Sequence, residues 1–355
     1  MRCFILMSFM IAGQIWHTRE SQTQTLHSIA SLSFVSLENS VLVSGGGSVE
    51  PRREEGQVFF WNTAKGTREP LFGLSGRVWS TSVSKDRRYI ATGSTRVLNS
   101  DKKHPLMYGE IKVWSLAKKK VVFCQLEEHS VKSVGLNSTG TSVVSVSDDR
   151  TLKIWTISNS KQTQVKPETR DSFFTCAVFC PHNKLVAAGL GRDLGETPPF
   201  EKQGAVFIWD LDKTKHVVTL WGHTDYVTAV VFTPSGKELI SASYDKTIRI
   251  WDLMEKKEIK SLVGHKDRIW TLAISPDGKS LASAGADGII RVWDLASGRE
   301  LFLLAGHHAG VGALAFSSDG KTLASAVSEL RSAGEILLWD LDTGKKLVGL
   351  PAWSK

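Results

Sequence analysis

The sequence predicts an all-β fold built of tandem repeats closed into one array, and three observations predict it. First, residues 217–295 contain one sentence written twice, LWGHTDYVTAVVFTPSGKELISASYDKTIRIWDL and then LVGHKDRIWTLAISPDGKSLASAGADGIIRVWDL. Each copy runs from Gly-His through an apolar alternating stretch, a turn, a second such stretch and an Asp to a closing Trp-Asp. Second, the repeat keeps time: Trp209, Trp251 and Trp293 follow one another at intervals of 42 residues. Third, seven segments end alike, QVFFWN at Trp61, IKVWS at Trp114, LKIWT at Trp155, VFIWD at Trp209, IRIWD at Trp251, IRVWD at Trp293 and ILLWD at Trp339, so seven of the twelve tryptophans share one structural position. A unit of that size cannot bury its own faces, so the 355 residues form one array and not two ordinary domains.

Gly-His at one end and Trp-Asp at the other, at this period, resembles the WD40 repeat, in which each repeat is a four-stranded blade (strands a to d) of a β-propeller. The resemblance implies a seven-bladed propeller over residues 21–350, preceded by an apolar segment at 1–20. It sets the repeated Trp near the end of strand c. Strand a of the successive blades then falls at 29–34, 78–83, 131–136, 174–179, 227–232, 269–274 and 311–316, each alternating apolar with small or polar residues. Turns rich in Gly, Asp, Asn and Pro follow: SPDGK, SSDGK, TPSGK, NSTG and CPHNK. The outer strand of blade 7 can come from KKLVGL at the C-terminus or from SQTQTL at 21–26, which resembles the N-terminal closing strand of many propellers. The alternating apolar residues of KKLVGL favour it, with the N-terminal segment outside it or at the rim.

Composition narrows the function classes. Lys and Arg number 44 against 36 Asp and Glu, a net charge of +8. That is too little to diagnose nucleic-acid binding, but it keeps anionic partners in play. The four cysteines, Cys3, Cys124, Cys176 and Cys180, form no regular framework. Cys176 and Cys180 share one strand face and read as small core residues, not as a metal pair or a disulfide. At the N-terminus Met1 and Arg2 precede the run CFILMSFMIA. A short signal peptide over 1–13, an apolar strand packed on the propeller and a gene start inside a longer array all fit this run. It is brief and lacks a small-residue cleavage site, so a cytoplasmic location is expected, with export as the alternative. It is too short to span a bilayer, and no transmembrane segment is expected.

The second strands end at Ser44, Thr92, Ser145, Ala188, Ser241, Ser283 and Ser325, and Asp149, Asp245 and Asp287 follow three of them by four residues. With three histidines these resemble the family's buried network: His129, Ser145, Asp149 and Trp155; His223, Ser241, Asp245 and Trp251; His265, Ser283, Asp287 and Trp293. A histidine that donates to the Asp and accepts from the Ser, with the indole N–H ending the chain, ties the loop before strand a to the loop after strand b. A Ser, His and Asp together also suggest a hydrolase. The trio recurs in three blades, the Ser sits on a strand and not at a strained elbow, and a Trp takes its hydroxyl, so these histidines read as structural.

Blades 1, 2, 4 and 7 break the pattern in one place. Ser241 to Trp251 and Ser283 to Trp293 is ten residues, but the matching spans are 17, 22, 21 and 14. The insertions read GGGSVEPRREEGQ, GSTRVLNSDKKHPLMYGE, GLGRDLGETPPFEKQG and VSELRSAGE; their Gly, Pro and charge mark loops, and Gly56, Gly109, Gly204 and Gly334 precede the return to strand c. In the family the b–c and d–a loops share one face, so all four insertions enlarge that face into a cup.

Catalytic and metal signals are scarce. There is no phosphate loop, no H-E-x-x-H and no C-x-x-C, and the G-x-G of GLGRDLG belongs to a b–c loop. Glu54, Glu55, Asp193, Glu196 and Glu201 are carboxylates of solvated loops. No catalytic residue, cofactor or metal is expected. Binding signals are better. Arg77, Trp79, Phe173, Tyr226, Arg268 and Trp270 lie just before or at the start of strand a, and Trp79 and Trp270 match Ala30, Lys132, Thr175, Thr228 and Gly312 of the other blades. Aromatic and arginine side chains at a funnel mouth have the composition of a binding hot spot; packing inside the central channel is the plainer reading. Lysines such as Lys118, Lys119, Lys120, Lys256, Lys257, Lys345 and Lys346 crowd the turns of the opposite face. The expectation is a non-catalytic scaffold, a single propeller within a larger assembly, that binds a protein or peptide partner through the loop-walled face. Nucleic acid is not the expected partner. An anion- or nucleic-acid-binding module on the lysine face and a small-ligand or enzymatic pocket in the cup are the alternatives.

Overall fold

The computed structural model describes residues 28–35, 41–47, 56–71, 76–98, 106–167, 172–182, 184–192, 204–328 and 334–350. The segments 1–20 and 21–26, Cys3 and the loop carboxylates Glu54, Glu55, Asp193, Glu196 and Glu201 lie outside the described residues.

Seven four-stranded antiparallel sheets, each in the order a-b-c-d, make up the described chain. Their inner strands a are Ser28–Phe34, Arg77–Val83, Val131–Leu136, Ser172–Phe179, Val227–Phe232, Ile269–Ile274 and Val311–Phe316. Each touches the inner strand of the next blade, and the first touches the last, so the ring is closed. The core lies between blades. Ile29, Leu32, Leu42 and Trp61 of blade 1 pack with Ala313, Ala324, Ile336, Leu338 and Leu350 of blade 7, which makes the closing seam as apolar as the others. Leu350 belongs to the C-terminal strand Lys345–Leu350, which pairs with Ile336–Asp340 and supplies the outer strand of blade 7.

One pairing holds in all seven blades. The residue at the small-hydroxyl position pairs with the residue two before the Trp: Ser44 with Phe59, Thr92 with Lys112, Ser145 with Lys153, Ala188 with Phe207, Ser241 with Arg249, Ser283 with Arg291 and Ser325 with Leu337. The insertions therefore lengthen the connection between b and c without shifting their register, as a slip of one would turn every core residue outward. Tight c–d turns support this regularity. Each contains one residue with left-handed backbone, glycine at Gly66, Gly298 and Gly344 and a side chain at Lys119, Ser160, Thr214 and Lys256.

The insertion of blade 2 is not the loop its glycine and charge suggest. Strands Tyr89–Leu98 and Leu106–Ser115 run ten residues each and pair out to Leu98 with Leu106, so most of it is a hairpin. Thr95, Val97, Leu98, Met107 and Tyr108 have the β-branched, aliphatic and aromatic composition that favours strand. Gly109 likewise lies inside strand c and not before it, and Gly56 and Gly204 are the first residues of theirs. A Cβ at Gly109 would collide with the carbonyl of His129, and one at Gly204 with that of Asp225. Close approach of the loop entering the next blade is what excludes a side chain there.

Candidate partner-binding site

In an a-b-c-d antiparallel blade the start of strand a, the end of strand b and the b–c connection share one end of the sheet. At that end every inner strand carries a β-bulge. Pairing passes from Ile29 to Ser31, Val78 to Ser80, Phe174 to Cys176, Val227 to Ala229, Ile269 to Thr271 and Val311 to Ala313, and Val131 and Ser133 face consecutive residues of their partner. The bulged residues are Ala30, Trp79, Lys132, Thr175, Thr228, Trp270 and Gly312, one from each blade. A bulge re-aims the side chain it frees from the ladder, so these seven residues form a ring where the inner strands begin.

Trp79 is held on three sides. Its indole N–H donates to Thr95 Oγ1 at 2.7 Å. The Arg77 guanidinium and the Lys132 ammonium each lie 4.1 Å from its ring centroid, and Lys132 is paired with Asp148 at 3.3 Å. Arg77 is buried, and loss of solvent brings its guanidinium down to about 10. Burial likewise lowers the Lys132 ammonium, against the pull of Asp148. Cation–π contacts of this kind tie neighbouring blades together.

An aromatic arc spans blades 4 to 6. Phe173 meets Tyr226 edge-on at 5.2 Å, and Tyr226 lies 6.1 Å from Tyr244. The Arg268 guanidinium sits 5.0 Å from the Tyr244 ring. Gly191 lets the first pair close, since a Cβ there would press on both rings. The floor is fixed by bulged threonines: Thr228 Oγ1 donates to the Ile269 carbonyl at 2.7 Å, and Thr175 Oγ1 to that of Val227. Trp270 is half-buried at its bulge. Phe173, Tyr226 and Arg268 thus join one cluster, Arg77 and Trp79 another. Tyr244 was absent from the candidates, and its place directly after strand b was the signal for it.

The polar quartets lie beside this face. In blade 5 His223 Nδ1 is 2.7 Å from Asp245, His223 Nε2 is 2.8 Å from Ser241 Oγ, and the Trp251 indole donates to that hydroxyl at 2.8 Å. Blade 6 repeats this with His265, Asp287, Ser283 and Trp293 at 2.8, 2.8 and 2.9 Å. Burial raises the Asp245 carboxyl, but hydrogen bonds from His223 and Thr247 outweigh it and hold the group down at about 2.

Blade 3 differs from its expected quartet. Trp155 does donate to Ser145 at 3.1 Å, but His129 is exposed. His223, His265 and His307 each stand four residues before strand a, whereas His129 stands two before Val131. Glu127 takes the fourth place instead, and the Lys153 ammonium joins its carboxylate to Asp149. Blade 7 adds a quartet that sequence reading passed over: His307 reaches Ser325 at 2.6 Å and Glu335 at 3.0 Å, and Trp339 donates to Ser325 at 2.8 Å. Its acid comes from the end of the insertion.

Cys124, Cys176 and Cys180 are free thiols, and the last two pack in one cluster between blades 4 and 5. Among the described residues no group of three or more His, Cys, Asp or Glu could hold a metal ion, and no helix is long and apolar enough to cross a membrane.

The "WD domain, G-beta repeat" family matches the chain at residues 120–156, 214–252, 256–294 and 298–340. Curated relatives include the nuclear distribution protein nudF of Emericella nidulans, 28% identical over 177 residues that make up 45% of this chain and 39% of the relative. A guanine nucleotide-binding protein subunit beta-like protein of Encephalitozoon cuniculi is 35% identical over 165 residues, 44% of this chain and 42% of its own. The U3 snoRNP-associated protein-like EMB2271 of Arabidopsis thaliana is 28% identical over 128 residues, 34% and 27%. In each case the match spans less than half of the relative. Four of the seven blades match the WD40 repeat, and all seven share one strand order and one register, so the chain is a seven-bladed β-propeller carrying WD40 repeats.

Proposed function

We propose that the protein is a non-catalytic scaffold that binds a protein or peptide partner on the face where its b–c insertions emerge. The aromatic arc of Phe173, Tyr226 and Tyr244 supports this reading most directly, because adjoining aromatic rings beside arginine are what binding hot spots are made of. The relatives bear names from nuclear distribution, G-protein and snoRNP biology, which fits a shared platform whose loops choose the partner. Arg77 and Trp79 brace blades 2 and 3 against each other, so Phe173, Tyr226 and Trp270 carry the contact in this reading, with Arg268 beside them. The free thiols suit a reducing compartment, and we place the protein in the cytoplasm.

Affinity capture from the native host with wild type and with a Phe173→Ala/Tyr226→Ala/Trp270→Ala variant tests the proposal. Partners recovered by wild type should be lost by the variant while its circular dichroism melt stays cooperative. Equal recovery by both would overturn it.

A further inference from the structure

We infer that the aromatic arc takes a basic side chain, arginine or lysine, from the partner peptide, at the face of Tyr244 now covered by Arg268. This rests on the docking face proposed above and adds the chemistry of its ligand. Three observations carry it.

The arc already holds a guanidinium. Arg268 lies 5.0 Å from the Tyr244 centroid, yet its side chain is exposed, so it can leave without uncovering a core. Aromatic faces attract cations through their quadrupole, and half-buried rings do so more strongly than rings in open water. The arc also carries negative charge of its own. Asp225, next to Tyr226 in sequence, accepts the Tyr226 N–H at 2.7 Å; burial holds its carboxyl up and the Arg268 charge draws it down, so the two groups act on one another. A cation seated on Tyr244 therefore meets the ring inside the field of that carboxylate, which acts on Tyr244 as well. Finally, the ring of bulged residues is electrically lopsided. Trp79 already holds Arg77 and Lys132, each 4.1 Å from its ring centroid, and those cations repel a basic residue from blades 2 and 3 and leave it blades 4 to 6. Arg268 is then a placeholder that the ligand displaces.

The test is selection of random twelve-residue peptides displayed on phage against the full-length protein. Fluorescence polarisation of the selected consensus follows, with wild type, Arg268→Ala, Tyr244→Leu and Tyr244→Phe, each checked by thermal melt. A basic residue should recur at one position, and citrulline in place of arginine or acetyl-lysine in place of lysine, which removes the charge and keeps the reach, should weaken binding at least about ten-fold. Arg268→Ala should tighten binding about three-fold, Tyr244→Leu should weaken it about ten-fold, and Tyr244→Phe should leave it unchanged. Selected peptides without a fixed basic residue, or affinities indifferent to Arg268→Ala and Tyr244→Leu, overturn this inference and leave the docking face standing. Selection of no peptide at all overturns both.

Discussion

Glu335 Oε2 lies 3.0 Å from His307 Nδ1, and His307 Nε2 lies 2.6 Å from Ser325 Oγ, so a residue at the end of an insertion closes the polar quartet of blade 7. The His307 side chain is fully buried. A neutral ring with the proton on Nδ1 satisfies both hydrogen bonds, and burial, against the pull of Glu335, keeps the ring's pKa below the ordinary 6.5. The unfolded chain therefore binds the extra proton first. Stability from this group is full above about 6.5 and is lost as the pH falls toward the lowered value. Urea midpoints at pH 7.5 and 5.5 should show a drop that His307→Asn reduces. Glu335→Ala, which leaves the ring N–H without its acceptor, should cost about 1–3 kcal/mol; an unchanged midpoint would contradict the quartet.

The quartet of blade 5 should respond in a different window. Asp245 has a depressed folded value of about 2 against 3.8 in an unexceptional setting. Its contribution is present above about 3.8 and disappears as the pH falls through 2, the opposite end of the scale from His307. Asp245→Ala should destabilise by about 1–3 kcal/mol at neutral pH. Acid unfolding followed by tryptophan fluorescence should then begin at higher pH in the variant; coincident curves would remove Asp245 from the ledger of acid-sensitive groups.

How far the sequence could be read shows at individual residues. The inner strands 131–136, 227–232, 269–274 and 311–316 match those observed end for end, because alternation and flanking turns specify a half-buried strand locally. The quartet of blade 3 failed because a histidine was matched by neighbourhood instead of by its distance to strand a, and two residues separate His129 from the place Glu127 fills. The hairpin in blade 2 was hidden by Gly, Lys and Pro around a strand-forming core. The aromatic arc could be seen only in part: Phe173 and Tyr226 belong to different blades, and their contact depends on ring closure, which no local pattern encodes.

Blade 3 offers a sharp contrast between two neighbouring basic residues. The Lys153 ammonium sits between Glu127 and Asp149, and the side chains of Lys153 and Glu127 are almost wholly buried. Removing it leaves two carboxylates without their shared cation, so Lys153→Ala should cost about 3–5 kcal/mol. His129 is exposed, and His129→Ala should change stability by no more than about 0.5 kcal/mol. Guanidinium denaturation of the two variants beside wild type decides it; a large loss from His129→Ala would restore the histidine to the network.

Blade 4 supplies the inverse experiment, in which a missing partner is put back. The Trp209 indole nitrogen is buried without a hydrogen-bond partner, because Ala188 occupies the position that is a serine in blades 1, 3, 5, 6 and 7. The register there is the shared one, Ala188 opposite Phe207 and two residues from Trp209, so a hydroxyl at 188 is placed to accept the indole N–H as Ser241 accepts that of Trp251 at 2.8 Å. Ala188→Ser adds one buried hydrogen bond and relieves one orphaned donor, worth about 1 kcal/mol net. For a domain of this size that corresponds to a rise in Tm of about 1–2 °C. The indole proton should also exchange more slowly with deuterium in the variant. A lower Tm would mean that the fully buried Ala188 site has no room for the hydroxyl, and that blade 4 has repacked around its alanine.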